Sequence, residues 1–482
     1  MKLQAIFFVL GLLLVFLGTT MIAPALLDWW LGDSNWEVFA QSAALTLLAG
    51  GLCSLANRPH GEMALSIRET FLMTAVTWLV LSAFSALPFI FSMITATHTD
   101  SYFEAISALT TTGASVISGL DFIPKGILLW RSILQWLGGI GIIVMALTVM
   151  PILHIGGMHL FRSEFSDRSE KVLPRVSQIT KAIFWTYVFL TFLCALAMWL
   201  AGMTIFEAIC HSMATVSTGG MSTSDGSIAY FDNVMIEIIM MVFMAIGGST
   251  LLLYVRIFHG DIKTLWQDSQ TRIYFALIIL LPLVLTLWRW GHQNVPFVLS
   301  VRESFFNGIS ILTTSGFSTT DYGNWGTLPI LVFFIMMFIG GCTGSTSGGI
   351  KVFRFKVIYQ LARIQIYKLY RPHAVVVPTY NRQPIPTSVF DSVMTFMALF
   401  ILSFACLAIG LAAYDLDFIT SISGAVAALS NIGPGFGAII GPLNNYAVLP
   451  EGAKWLLMIG MILGRLELLT IFVLFTPKFW KD

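Results

Sequence analysis

Ten apolar segments of about 20 residues or more follow one another along the chain, near 3–27, 38–57, 69–95, 126–152, 181–202, 233–258, 271–291, 327–363, 388–414 and 453–476, the eighth of them interrupted. Each has the length a helix needs to cross a bilayer. Four of the gaps (third to fourth, fifth to sixth, seventh to eighth, ninth to tenth) hold a further stretch of about 12–15 moderately apolar residues. These are too short to span, and fit helices that enter the membrane and turn back. The pattern predicts an all-α integral membrane protein with ten crossings.

Each short stretch ends in the same way, on a hydroxyl residue, two mostly small or polar residues and glycine: Thr110-Thr111-Thr112-Gly113, Ser217-Thr218-Gly219-Gly220, Thr313-Thr314-Ser315-Gly316 and Ser430-Asn431-Ile432-Gly433. Aligned on the last glycine, the copies agree further upstream. Small residues (Ser107, Ala214, Ser310, Ala427) stand six positions before it, and apolar ones (Leu109, Val216, Leu312, Leu429) four before. Thirteen before stand Asp100, Glu207, Glu303 and Thr420, suited to the first turn of a helix. The copies recur about once per hundred residues, the mark of internal repetition. The chain therefore divides into two leading helices (1–60) and four helix–loop–helix repeats at 61–155, 156–260, 261–382 and 383–482 around a pseudo-fourfold pore.

Composition agrees. The 482 residues are 57% hydrophobic and 11% charged, against about 25% charged in soluble domains. A net charge of +1 argues against nucleic acid as a partner. The connectors 154–181 (Arg162, Arg168, Lys171, Arg175, Lys181) and 351–382 (Lys351, Arg354, Lys356, Arg363, Lys368, Arg371, Arg382) are basic. The opposite connectors carry Asp28, Asp33, Asp100, Asp121, Asp225, Asp232, Asp321, Asp415 and Asp417. The positive-inside rule makes the basic side, and with it both termini, cytoplasmic. Cys53, Cys194, Cys210, Cys342 and Cys406 lack CxxC spacing and read as packing residues. Trp29, Trp30, Trp130, Trp136, Trp325, Trp455 and Trp480 stand near segment ends, as interfacial anchors do.

Non-helical backbone at membrane depth survives only where protein buries it or it lines a watery path. Four such segments, each following a short helix, supply carbonyl oxygens that replace a cation's hydration shell. The helices aim their negative C-terminal ends at the centre. On these loops, on Gly340–Lys351 and on the tail Gly464-Arg465-Leu466-Glu467, the chain resembles the Trk/Ktr/HKT superfamily of potassium transporters, most closely its bacterial TrkH-type members, over essentially its whole length.

The resemblance implies a potassium filter with one glycine per repeat, Gly113, Gly220, Gly316 and Gly433. Its ion-binding positions would be Thr111 and Thr112, Thr218 and Gly219, Thr314 and Ser315, and Asn431 and Ile432. Plant members with serine at the first of those glycines carry sodium, so four glycines favour potassium. It further implies a homodimer in the bacterial inner membrane and a cytoplasmic nucleotide-binding ring of the TrkA type docking on the basic loops. No cofactor is expected in the chain.

The eighth segment is broken by Gly340-Gly341-Cys342-Thr343-Gly344-Ser345-Thr346-Ser347-Gly348-Gly349. Each glycine costs a helix about 1 kcal/mol relative to alanine, so these residues do not continue it. A flexible cytoplasmic turn is one reading. A phosphate loop is excluded, because Ile350 stands where lysine is needed. The third reading, a gate (340–350) lying across the pore below the filter, has the support of the resemblance. So does a gating role for Arg465, a charge too costly to face lipid, although snorkelling or a structural pairing would also explain it. Glu467 lies two residues on and cannot share its helix face. His211, nine residues before Gly220, reads as a satisfied polar residue behind the filter, with pH sensing as the alternative.

An intramembrane enzyme would need a nucleophile with its base, or clustered metal ligands, and the sequence pattern offers neither, so no enzyme is expected. A secondary transporter coupled to protons or sodium, using the same site, is the other functional class. Such folds use inverted repeats, whereas these repeats run parallel, which favours the pore.

Overall fold

The computed structural model describes residues 3–59, 66–148, 176–258, 260–261, 263–374, 376–381 and 383–481. Arg162, Arg168, Lys171, Arg175 and Arg382, with His60, His154 and His159, lie outside the described residues. Apolar segments in lipid must satisfy every backbone group within themselves, and the described chain is accordingly almost all helix.

Two leading spans, Leu3–Leu31 and Trp36–Ala56, come first. They cross backbone to backbone: a methyl group on Gly11 would lie 2.6 Å from the Ser54 nitrogen, and one on Gly50 2.7 Å from that of Val15. Small residues permit this approach between membrane helices. Asp28, fully buried at the end of the first span, accepts hydrogen bonds from Asn35 Nδ2 at 2.8 Å and from Gly126 N at 2.6 Å. It thereby caps the start of Lys125–Thr148 and ties the leading pair to the first repeat.

Four repeats follow. Each has an outer helix (Ile67–Phe91, Val176–Leu200, Ser269–His292, Thr387–Ala412) and a short helix (His98–Leu109, Ile205–Val216, Phe297–Leu312, Phe418–Ser430). The inner helices differ. The first, Lys125–Thr148, is continuous. The second bends by 97° between Val234–Gly247 and Leu251–Phe258, and the fourth by 104° between Glu451–Arg465 and Leu469–Phe475. The third, Thr327–Phe338, has 12 residues and climbs only about 18 Å before the glycine-rich loop, beyond which Val352–Tyr370 begins. The eighth segment is thus interrupted, as its glycines predict. Among the described residues seven helices are long and apolar enough to cross alone, and the two bent pairs bring the total to nine.

Thr97, Thr204 and Asp417 cap three of the short helices, each accepting from the backbone N–H three residues on. Asp100, Glu207 and Thr420 therefore sit in first turns as expected. Glu303 does not: its helix starts earlier, at Phe297, and the carboxylate pairs mid-helix with Arg289.

Each inner helix packs on the short helix of the next repeat, and Glu451–Arg465 packs on His98–Leu109, closing the four into a ring in chain order. Within repeats the contact is tighter still. A methyl on Gly138 would lie 1.8 Å from Leu109 O, one on Gly247 2.8 Å from Val216 O, and one on Gly464 2.1 Å from Leu429 O. These oxygens end the short helices at the position four before each marker glycine.

Trp29, Trp30, Trp455 and Trp480 are exposed. Trp130 and Trp325 are instead buried, and Trp136 is largely covered. Trp130 donates to Ser85 O at 3.0 Å and Trp136 to Thr191 Oγ1 at 3.1 Å, so their N–H groups serve inter-helix contacts. All five thiols are free.

Gly138→Ala should lower the melting temperature in detergent by several degrees, because overpacking costs about 1–3 kcal/mol. Gly141→Ala, whose methyl would meet only Trp78 at 4.0 Å, should not. Equal melting temperatures would refute the helix–carbonyl contact as the reason for Gly138.

Candidate functional site

Where each short helix stops, the second residue of its loop turns left-handed, with φ of 53° at Thr111, 53° at Thr218, 59° at Thr314 and 54° at Asn431. Non-glycine residues seldom adopt this conformation, and a shared geometry holds it here. The second residue's N–H bonds to the carbonyl three residues back, Ala108, Thr215, Ile311 and Ala428, at 3.0–3.3 Å. The third residue's N–H bonds to the carbonyl of the small residue five back: Thr112 to Ser107 at 2.9 Å, Gly219 to Ala214 at 2.8 Å, Ser315 to Ser310 at 2.8 Å and Ile432 to Ala427 at 2.9 Å. The donors of each loop are thereby turned inward on its own helix.

The marker glycines close the loops on one another. A methyl on Gly113 would lie 2.1 Å from Gly219 O, one on Gly220 1.9 Å from Ser315 O, one on Gly316 2.9 Å from Gly433 N, and one on Gly433 3.0 Å from Gly113 O. The chain of approach runs from loop one to two, three, four and back to one. Gly113, Gly220 and Gly316 have φ of 81–83°, which glycine alone adopts freely. Gly433 does not share this conformation, and Pro434 follows it. Tyr446 holds the fourth loop instead, donating to Gly433 O at 2.8 Å.

Behind each loop a polar side chain of the short helix ties down the strand that leaves the ring. Glu104 accepts from Val116 N at 2.9 Å and Ser115 Oγ at 3.0 Å. His211 lies with Nε2 3.0 Å from Ser222 Oγ and Nδ1 2.9 Å from Glu207 O, a satisfied buried histidine. Asn307 Oδ1 accepts from Thr319 N at 3.1 Å, and Ser423 Oγ from Phe436 N at 2.8 Å. Glu104 is buried and ion-paired with Arg131 at 2.8 Å, and Arg131 also donates to Ser222 O at 3.0 Å, joining repeats one and two.

Directly against the ring lies the glycine-rich loop. Its base is a short parallel pairing, with Gly340 N donating to Ile350 O at 2.9 Å and Ile350 N to Phe338 O at 3.1 Å. Thr343, Gly344 and Ser345 do not reach the ring. They pack on the bend of the second inner helix, where Thr250 Oγ1 donates to Thr343 O at 2.9 Å and Leu251 N to Gly344 O at 3.2 Å. Thr346, Ser347 and Gly348 do reach it. Thr346 Oγ1 donates to Val216 O at 3.1 Å and lies 3.2 Å from Thr218 Oγ1. Ser347 Oγ donates to Thr313 O at 2.7 Å, and Gly348 N to Thr314 Oγ1 at 2.8 Å. A methyl on Gly348 would lie 2.2 Å from Ser430 O. The loop therefore touches three of the four ring segments, and Arg465 bridges to the remaining repeat, donating to Thr346 O at 2.9 Å and to Gly138 O at 3.2 Å.

Lys351 and Arg354, placed by sequence in a cytoplasmic connector, are buried here instead. Lys351 Nζ donates to Ser347 O, and Arg354 pairs with Glu467 while stacking on Phe396. Counting charges along a connector assigns it a side and says nothing of which charges the fold will cover. Gln135, which the sequence did not single out, reaches across from the first repeat to the second loop.

What this arrangement offers is oxygen. Hydroxyls and carbonyls crowd one point at the negative ends of four helices, and among the described residues no group of three or more His, Cys, Asp or Glu is placed to hold a metal. Residues 36–482 match the family model described as "TrkH: Cation transport protein". The Trk system potassium uptake protein TrkI of Halomonas elongata is 40% identical over 98% of this chain and 96% of its own length. The Trk system potassium uptake protein TrkH of Escherichia coli K12 is 38% identical over the whole of both chains. The crystal structure of the potassium transporter TrkH from Vibrio parahaemolyticus superposes with a TM-score of 0.92 at 36% identity, covering both chains entirely. The four-repeat membrane chain described here belongs to the TrkH family of cation transport proteins.

Proposed function

We propose that the chain takes up potassium across the bacterial inner membrane, with the four loops as its selectivity filter. The closed ring of glycine-ended, left-handed loops, each at the C-terminal end of a short helix, is the observation that carries this reading. Neutral oxygens suit a weakly hydrated monovalent cation, whereas divalent ions call for carboxylates. The relatives' printed names, which specify potassium, support the same ion.

The filter comprises Thr110–Gly113, Ser217–Gly220, Thr313–Gly316 and Ser430–Gly433, and the Gly340–Ile350 loop is its gate. Thr346, Ser347 and Gly348 lie immediately against the filter, which supports reading this conformation as shut. Arg465 holds Thr346 in place and sets a positive charge beside the ion's path, which raises the barrier further. Opening moves the loop away and exchanges its hydrogen bonds for bonds to water and the passing ion. The exposed basic residues of Val352–Tyr370 (Arg363, Lys368), with Arg371 beyond it, mark the cytoplasmic face, where a nucleotide-binding ring of the TrkA type docks on a homodimer and both termini lie.

Rubidium and potassium flux into proteoliposomes holding the purified protein, with sodium as competitor, tests the filter. The native chain should carry potassium and exclude sodium; equal sodium flux would overturn the reading. Gly113→Ser places a side chain 2.1 Å from Gly219 O and should lower the potassium-to-sodium ratio by about tenfold, the equivalent of ~1.4 kcal/mol. The gate has its own test. Arg465→Gln removes the charge from bonds worth about 1.5–3 kcal/mol and should raise flux without any partner by about tenfold or more. Unchanged basal flux in that variant would count against the loop as gate.

A further inference from the structure

The four loops brace their third residue in different ways, and one brace comes from another repeat. In the first and third loops the third side chain bonds back to the first: Thr112 Oγ1 lies 2.8 Å from Thr110 Oγ1, and Ser315 Oγ 2.9 Å from Thr313 Oγ1. In the fourth, Ile432 is fully buried and Asn431 Nδ2 donates to Met461 O at 2.8 Å and to Thr112 Oγ1 at 3.1 Å. The second loop has Gly219 there, with no side chain to do either.

Gln135 fills the gap. It is fully buried on the first inner helix, its Nε2 donates to Gly219 O at 2.6 Å, and its Oε1 accepts from Met221 N at 3.2 Å. One amide thus clamps the chain on both sides of Gly220. Gly219 is not among the glycines with positive φ, so its backbone does not require glycine. A methyl group there would, however, lie 2.4–2.7 Å from the three heavy atoms of the Gln135 amide. The glycine makes room for the glutamine, and the glutamine supplies the brace that the glycine lacks.

This matters at the ring because Gly219 O is the oxygen that lies against Gly113. Among the described residues no donor approaches the corresponding oxygens of Thr112, Ser315 and Ile432. One of four matching carbonyls is therefore held and polarised by a side-chain amide. Selectivity in such a ring depends on how many dipoles face the ion and how strongly and rigidly they are presented.

We propose that Gln135 is a positioning residue that sets ion discrimination, acting through Gly219 O on the second loop. The inference rests on the reading of the loops as a filter, so Gly113→Ser is measured in parallel. Gln135→Met keeps the side chain's length and removes the amide. It orphans Met221 N and should lower the melting temperature by a few degrees, while the potassium-to-sodium flux ratio falls by roughly fivefold, the worth of one hydrogen bond. Gly219→Ala, whose methyl would push the Gln135 amide away from the carbonyl, should lower the ratio to a similar degree, and Gln135→Ala/Gly219→Ala should lower it no further. A native ratio in Gln135→Met overturns the proposal. If that variant does not fold, a native ratio in Gly219→Ala overturns it instead. Should Gly113→Ser also show a native ratio, the filter reading itself falls; should Gly113→Ser alone lose selectivity, only the role of Gln135 does.

Discussion

A chain that leaves its helix inside a membrane must still satisfy every backbone N–H, and in this molecule that requirement shapes the rest. Each loop meets it by turning one residue left-handed and returning two N–H groups to its own short helix. Carbonyl oxygens with two lone pairs tolerate incomplete bonding better than orphaned N–H groups do. Spending the donors inward therefore leaves an oxygen-rich surface facing the other three loops. Strain at Thr111, Thr218, Thr314 and Asn431, of order 1–3 kcal/mol each, is borne by the packing outside: the inner-helix glycines against the helix ends, and the polar ties behind each loop.

Repetition made much of this legible in the sequence. Four glycines in register located the loops, and the small residue six positions before each is the one whose carbonyl receives the returning N–H. The cluster at 340–349 announced a break, and the break is there. Other features were hidden because they depend on depth or on partners far away in sequence. Lys351 and Arg354 look like ordinary members of a basic connector until Ser347 O and Glu467 are brought to them. The bend at Gly247-Gly248-Ser249-Thr250 was not singled out, and its meaning comes from the distant loop, where Cys342 N reaches Gly248 O at 2.8 Å and Thr346 N reaches Gly247 O at 3.2 Å. Gln135 sits in an unremarkable stretch of helix, and its meaning comes from a glycine in the next repeat.

The fourfold arrangement is a property of the backbone more than of the side chains. Donor–acceptor spacing is common to all four loops, whereas the residues behind them are a carboxylate, an imidazole, a carboxamide and a hydroxyl in turn. The fourth loop departs furthest. It relinquishes the positive-φ glycine, and Tyr446 and Asn431 hold it from either side. Each repeat has thus reached the same backbone path by its own local chemistry, which is how unequal sequences sustain a nearly symmetric ring.

One asymmetry is of another kind. The third repeat's inner helix stops after 12 residues and yields its place to the glycine-rich loop, which has no counterpart among the described residues of the other repeats. That loop is fastened to the ring by hydroxyl and backbone bonds, each of a type worth about 0.5–1.5 kcal/mol net, without bulky side chains locked into pockets. Water and a permeant cation can offer equivalent partners to every one of these groups. Two side chains add bonds that carry a full charge: Lys351 donates to Ser347 O, and Arg465 joins Thr346 to Gly138 across the ring. In the proposed function the loop is therefore cheap to displace and the arginine decides when it moves. Its position at the 104° bend between Arg465 and Leu469 means that straightening or tightening this bend shifts the guanidinium.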